Sequence, residues 1–213
     1  MNRKISLLVL TLVLCTKVSA QSINKKKLDS LFDMLQSRGL ATGSVAISVN
    51  GKMEYQRVVG FAFNDSIPAK IDTKYRIGSV TKMFTAVMVF QLIEEGKLTF
   101  RDKLSIYFPQ LPNASKITIE HLLYHRSGLH DYTKETNFAE WFDKPKSHEE
   151  MLQIIISKGS DFEPGSKADY CNTNFLLLSY IVEKVCNMTY AEALEKRITT
   201  KAGLKNTYIG KSD

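Results

Sequence analysis

Residues 44–49 (SVAISV) and 52–59 (KMEYQRVV) are short strand-forming runs with only Asn50-Gly51 between them. Asn-Gly tolerates the positive φ that a two-residue type I′ turn needs, so the segment reads as a β-hairpin. After it, past a loop that ends near Arg76-Ile77-Gly78, the apolar residues recur at helical spacing almost to the end. A two-stranded hairpin is marginal in water by itself. Further strands should complete the sheet, and no strong strand candidate remains before Asp213. The pattern therefore predicts an α+β protein whose C-terminal strands are missing.

The helical segments can be bounded. Leu28, Leu31, Phe32 and Leu35 share one face of a first helix, stopped at Gly39. A second runs from Ser79 to Glu95, closed by Gly96. Its apolar residues, Met83, Phe84, Val87, Met88 and Leu92 among them, lie on several faces, which predicts a central, buried helix. A short helix follows from Thr118 to His125. Others are expected over 147–158, 172–186 and 189–199, with Asn187 and Thr189 as the caps between the last two.

The first twenty residues have another character. Arg3 and Lys4 precede an apolar run, Ile5 to Cys15, and Val18-Ser19-Ala20 offers small residues for cleavage. This is the layout of a secretory signal peptide, too short to span a bilayer, and predicts an exported protein cut near Ala20. Removing 1–20 takes away Arg3, Lys4 and Lys17, lowering the formal charge from +7 to +4. The run Lys25-Lys26-Lys27 reads as a solvated helix face. No basic stripe is interleaved with aromatics, which argues against nucleic acid as a partner. Cys171 and Cys186 remain in the mature chain. The helix between them would hold them on the order of 20 Å apart, beyond disulfide reach, so two free thiols are expected.

Ser79-Val80-Thr81-Lys82 fits S-x-x-K. With Ser79 opening a helix, Lys82 lies one turn on over the same face, where its ammonium can ease deprotonation of the hydroxyl. Tyr170-Cys171-Asn172 is a Y-x-N pattern at a loop-to-helix junction. A tyrosine near a lysine can serve as general base, and Asn172 can cap the helix and offer its amide to a substrate carbonyl. Taken alone, each pattern is better read blandly, the first as a helix cap beside a surface lysine and the second as a core aromatic beside a cap.

A third feature removes that ambiguity. Leu122-Leu123-Tyr124-His125-Arg126-Ser127-Gly128-Leu129 resembles the L-L-x-H-x-S-G-L stretch of the class C β-lactamase-like serine hydrolases. Glu95-Gly96-Lys97-Leu98 with Arg101-Asp102, Phe162-Glu163-Pro164-Gly165-Ser166, Asn172-Thr173-Asn174-Phe175 with Leu177-Leu178, and Ala202-Gly203-Leu204-Lys205-Asn206-Thr207 resemble further segments of that family, in its order. The resemblance runs from about residue 22 to 210. It implies a serine β-lactamase/transpeptidase-like fold, an antiparallel sheet flanked by helices beside an all-helical region, with 21–213 as the N-terminal, incomplete part. It implies Ser79 as acylated nucleophile, Lys82 as its electrostatic tuner, Tyr170 as proton shuttle and Asn172 as substrate-orienting residue. The Ser79 N–H would give half of an oxyanion hole, and His125, Ser127 and Gly128 would shape the loop beneath.

The expected reaction is acyl transfer from an amide or ester to Ser79 and then to water, without cofactor or metal. The substrate would be a small molecule or a peptidoglycan-derived peptide: a β-lactam, a D-amino-acid peptide or an ester. Cys171 stands where Ser or Ala is commoner in the family, and no Lys-Thr-Gly or His-x-Gly follows residue 172. A truncated member with weak or no activity of its own, or a non-catalytic one that binds cell-wall peptide, is thus the alternative expectation. His121 and His125 share a helix face, but Leu122 breaks the H-E-x-x-H zinc pattern. Ser127, His125 and Asp131 are too close in sequence for a triad and lack the G-x-S-x-G elbow.

Overall fold

The computed structural model describes residues 23–63 and 66–210. The expected signal segment and its cleavage point lie outside the described residues. The chain divides into two compact units, one ending at Tyr75 and the other beginning at Arg76.

In the first unit, helix α1 (Lys25–Ser37) is capped by the Asn24 side chain and precedes strands β1 (Gly43–Val49) and β2 (Lys52–Val59). The strands pair antiparallel, Gly43 opposite Val59 and Ile47 opposite Tyr55. They turn through Asn50 (φ 51°) and Gly51 (φ 76°), the two positive-φ positions that Asn-Gly predicts. Tyr55 and Val59 are the buried residues of β2. The Tyr55 ring stacks on Phe32, 6.3 Å between centroids, and its hydroxyl donates to Asp29. Arg57 joins Asp29 and Asp33 on the same helix, while the side chains of Lys25 to Lys27 are exposed.

The segment expected to be loop contains a second small hairpin, β3 (Phe61–Phe63) with β4 (Ile67–Pro68). Strands of two or three residues fall below the length at which alternation can be read. Among the described residues the sheets are these two-stranded pairs.

The second unit is helical. The chain enters through a 3₁₀ turn (Gly78–Val80) and continues as α2 (Thr81–Glu94). Then come α3 (Ile119–Leu123), α4 (His148–Lys158), α5 (Asn172–Cys186), α6 (Tyr190–Leu194) and α7 (Thr200–Ala202). Thr118, Ser147 and Thr189 accept the orphan N–H groups at three helix starts, the last two as capping boxes with Glu150 and Glu192. Asn187 closes α5 in the left-handed region. The core gathers Met88 and Leu92 from α2, Ile119 and Leu122 from α3, Ile155 from α4, and Leu177, Leu178 and Ile181 from α5.

Two expectations are corrected here. The helix starting at Ser79 is buried on one side only: Met88, Val89 and Leu92 are inaccessible, whereas Val80, Met83, Val87 and Phe90 are exposed, Met83 by 67%. Its sequence is apolar all round, so periodicity could not show which face would lack cover. The expected helix over 189–199 changes pitch, passing from α6 into a π turn (Glu195–Thr199). Leu194 and Thr199, five apart, are both buried. An α-helix would set them well apart around its axis, and the i→i+5 turn brings them together.

Candidate active site

Residue 79 sits within the 3₁₀ turn rather than on the α-helix that follows, as the second residue of the turn. Its N–H is therefore among those that a helix start leaves without an intrahelical carbonyl. Lys82, one turn on, donates from Nζ to Ser79 Oγ at 3.2 Å. Ser79 Oγ also lies 2.8 Å from Tyr170 Oη, across 91 positions of sequence. Lys82 Nζ donates to Asn172 Oδ1 at 2.8 Å and stands 4.9 Å from the centre of the Tyr170 ring. The four residues singled out in the sequence thus meet in one cluster. Ser79 is exposed and Tyr170 is 49% exposed, so solute can reach both. The Lys82 ammonium first, and the Ser79 hydroxyl second, hold the Tyr170 phenol below its ordinary value.

Tyr170 is brought there by the pairing of two loops. Gly128 O accepts from Asp161 N, Arg126 O from Gly165 N, and His125 O from Asp169 N. The Arg126 guanidinium also donates to Gly165 O. A Cβ at Gly128 (φ 78°) would fall onto the Phe162 carbonyl oxygen, so this approach requires glycine. His125 Nδ1 accepts from Cys171 N at 3.1 Å, and its ring lies 4.7 Å from that of Tyr170 and 5.2 Å from that of Phe175. Burial, and then the charge of Lys82, lower the His125 pKa. An Nδ1 that accepts carries no proton, so the ring is the neutral Nε2–H tautomer.

Asn172 differs from expectation. The cap position of α5 belongs to Cys171, which makes no side-chain cap bond. Asn172 is the first helical residue and turns its amide inward. Its Nδ2 donates to Asp131 Oδ2 at 3.1 Å and to Thr133 Oγ1 at 3.0 Å, leaving no amide hydrogen for a substrate carbonyl. Asp131 and Thr133 were not singled out as members of this cluster. The local signal was Asp-x-Thr, an Asx-type turn in which Asp131 Oδ1 accepts from Thr133 N. That pattern predicts a turn without naming its distant partner.

The rejected alternatives have separate places. Ser127 donates to Asn174 Oδ1, and Asp131 is engaged with Asn172 and Thr133, so neither forms a relay with His125. His121 packs beside Gly165, where burial lowers its pKa. Glu163 pairs with Lys116 at the surface. Cys171 and Cys186 are free thiols, as their helical separation requires.

Comparison with known proteins agrees with this geometry. The family model described as Beta-lactamase matches residues 28–213. A penicillin-binding protein of Bacillus subtilis (strain 168) is 32% identical over 191 residues, 87% of this chain and 42% of its own. A teichoic acid D-alanine hydrolase of Staphylococcus aureus is 31% identical over 183 residues, 85% of this chain and 43% of its own. The crystal structure of the D-amino acid amidase of Ochrobactrum anthropi SV3 with L-phenylalanine amide superposes with a TM-score of 0.75 at 30% identity, over 87% of this chain and 53% of that one. The chain spans about half the length of the curated relatives it matches. With a family model covering all but the first residues, and with the serine, lysine and tyrosine of its motifs in mutual contact, the chain belongs to the beta-lactamase family.

Proposed function

We propose that this chain carries the nucleophile and the general base of a serine acyl-transfer hydrolase. The observation that carries the reading is the position of Ser79 Oγ, 2.8 Å from the Tyr170 phenol and 3.2 Å from the Lys82 ammonium. Tyr170, made more acidic by Lys82, takes the Ser79 proton as Oγ bonds to the carbonyl carbon of an amide or ester. The carbonyl π pair moves onto oxygen, toward the Ser79 N–H. Collapse of this intermediate breaks the C–N or C–O bond, and Tyr170 returns the proton to the leaving group. Water then cleaves the acyl-Ser79 ester by the same steps, regenerating the hydroxyl.

The names of the relatives, a penicillin-binding protein, a D-alanine hydrolase and a D-amino acid amidase, favour acyl donors of D-configuration or β-lactams. Such envelope substrates accord with an exported chain cut near Ala20, and N-terminal sequencing of the protein recovered outside the cytoplasm tests that part. For the chemistry, the chain is treated with a labelled penicillin or a reactive phosphonate and examined by mass spectrometry. The expected result is one covalent adduct on Ser79, absent from Ser79→Ala. Affinity without an adduct would make the chain a binding protein, and an adduct that survives Ser79→Ala would refute the assignment.

A further inference from the structure

Asp131 is 3% exposed and carries a carboxylate in which both oxygens are fully engaged. Oδ2 accepts from the backbone N and the side-chain Nδ2 of Asn172, each at 3.1 Å. Oδ1 accepts from the backbone N and the hydroxyl of Thr133, at 3.0 and 2.9 Å. Every partner is a donor, which is what an ionised, acceptor-only carboxylate requires. Thr133 Oγ1, its hydroxyl hydrogen donated in the bond to Asp131, accepts the other Asn172 amide hydrogen at 3.0 Å.

The consequence falls on Asn172. A side-chain amide can sit either way round, with nearly the same shape but opposite polarity. Asp131 and Thr133 present only acceptors to its nitrogen, so its oxygen must face the other way, toward Lys82 Nζ at 2.8 Å. The flipped amide would set NH₂ against an ammonium and oxygen against a carboxylate. We propose that Asp131, seconded by the Thr133 hydroxyl, is a positioning residue that locks the Asn172 amide so that its carbonyl oxygen holds the Lys82 ammonium over Ser79 and Tyr170. The proposal rests on the reading of Ser79 as nucleophile only for its kinetic consequence; the polarity chain itself is independent of turnover.

The test uses the full chain with ζ-carbon-labelled tyrosine, the Tyr170 resonance being assigned by its loss in Tyr170→Phe. In the native chain the phenol is expected to titrate below ordinary tyrosine. Thr133→Val keeps the shape and removes the hydroxyl, and Asp131→Asn replaces one acceptor oxygen by a donor. In both, Lys82 is released and the Tyr170 titration moves up toward the ordinary range, while phosphonate labelling of Ser79 slows about tenfold, the usual scale for a lost charge-assisted hydrogen bond. Thr133→Ser restores both readouts. Should Asp131→Asn fail to fold, Thr133→Val decides alone. A folded Thr133→Val with native Tyr170 titration and native labelling rate would overturn the proposal, even with a lowered melting temperature. So would equal losses in Thr133→Ser and Thr133→Val, or a native Tyr170 that titrates in the ordinary range. If Ser79 takes no label in the native chain while the variants still shift Tyr170, the positioning role stands and the nucleophile assignment fails.

Discussion

At the scale of single residues, the phenol of Tyr170 is half open to water and is nonetheless held below its ordinary value, because an ammonium and a hydroxyl reach it from one helical turn. The sign of the pH effect follows. The base form is the phenolate, so acylation of Ser79 should rise with pH through the lowered phenol pKa. Removing the ammonium raises that pKa. In Lys82→Met the ascending limb of labelling rate against pH is expected to move to higher pH, with labelling at neutral pH slower by roughly 100-fold, within the range for general-base catalysis. An unmoved limb would dissociate Lys82 from the titration. Ser79 and Lys82 were legible in the sequence because one helical turn fixes their proximity. Asp131 was not, because its partner Asn172 lies 41 positions away and only the folded loops bring it within 3.1 Å.

At the scale of elements, most boundaries follow from capping chemistry that is local in sequence. Ser147-x-x-Glu150 and Thr189-x-x-Glu192 each form the reciprocal pair of bonds that their spacing suggests. Ser147→Ala should lower stability by about 1 kcal/mol, read from urea unfolding. The 125–130 and 159–171 loops are held differently, by backbone pairing across them and one glycine with no room for a side chain. Gly128→Ala combines an unfavourable left-handed backbone with a collision against Phe162 O. It should cost about 2 kcal/mol or more and also slow Ser79 labelling, since Tyr170 is placed by that pairing. A variant of native stability would show that the loops can separate without penalty. Elements shorter than a periodic window, β3, β4 and the π turn, escaped the sequence reading for the same reason: their patterns depend on what they pack against.

At the scale of the whole molecule, the second unit is tied between distant parts of the chain. Arg197 in the π turn makes a two-pronged pair with Glu95 just past α2, at 2.8 and 3.2 Å across 102 positions, and Lys97 adds a bridge at 2.8 Å. Arg197 first, then Lys97, lower the Glu95 pKa from 4.5 to about 2. A carboxylate whose folded pKa is depressed stabilises fully above its unfolded value and loses that contribution as pH falls toward the folded one. Between pH 4.5 and about 2 the native chain should therefore lose stability that Glu95→Gln, already without the charge, does not lose. Melting temperatures of the two across that window check this, and parallel curves would contradict it. The effect should be modest, because the pair is partly exposed and screened by solvent.

The sequence by itself determined the hairpin at Asn50-Gly51, the helix ends marked by Ser147, Asn187 and Thr189, the separation of the two thiols and the adjacency of Ser79 to Lys82. Each depends on bonds within a few residues or on the rise of one helix. Only the tertiary structure decided which face of α2 is covered and that Asn172 turns its amide to Asp131 and Thr133, whereas the meeting of Tyr170 with Ser79 across 91 positions was implied by the family resemblance and by no local spacing. Those outcomes depend on hydrogen-bond polarity and packing between segments whose distance in sequence carries no record of their contact.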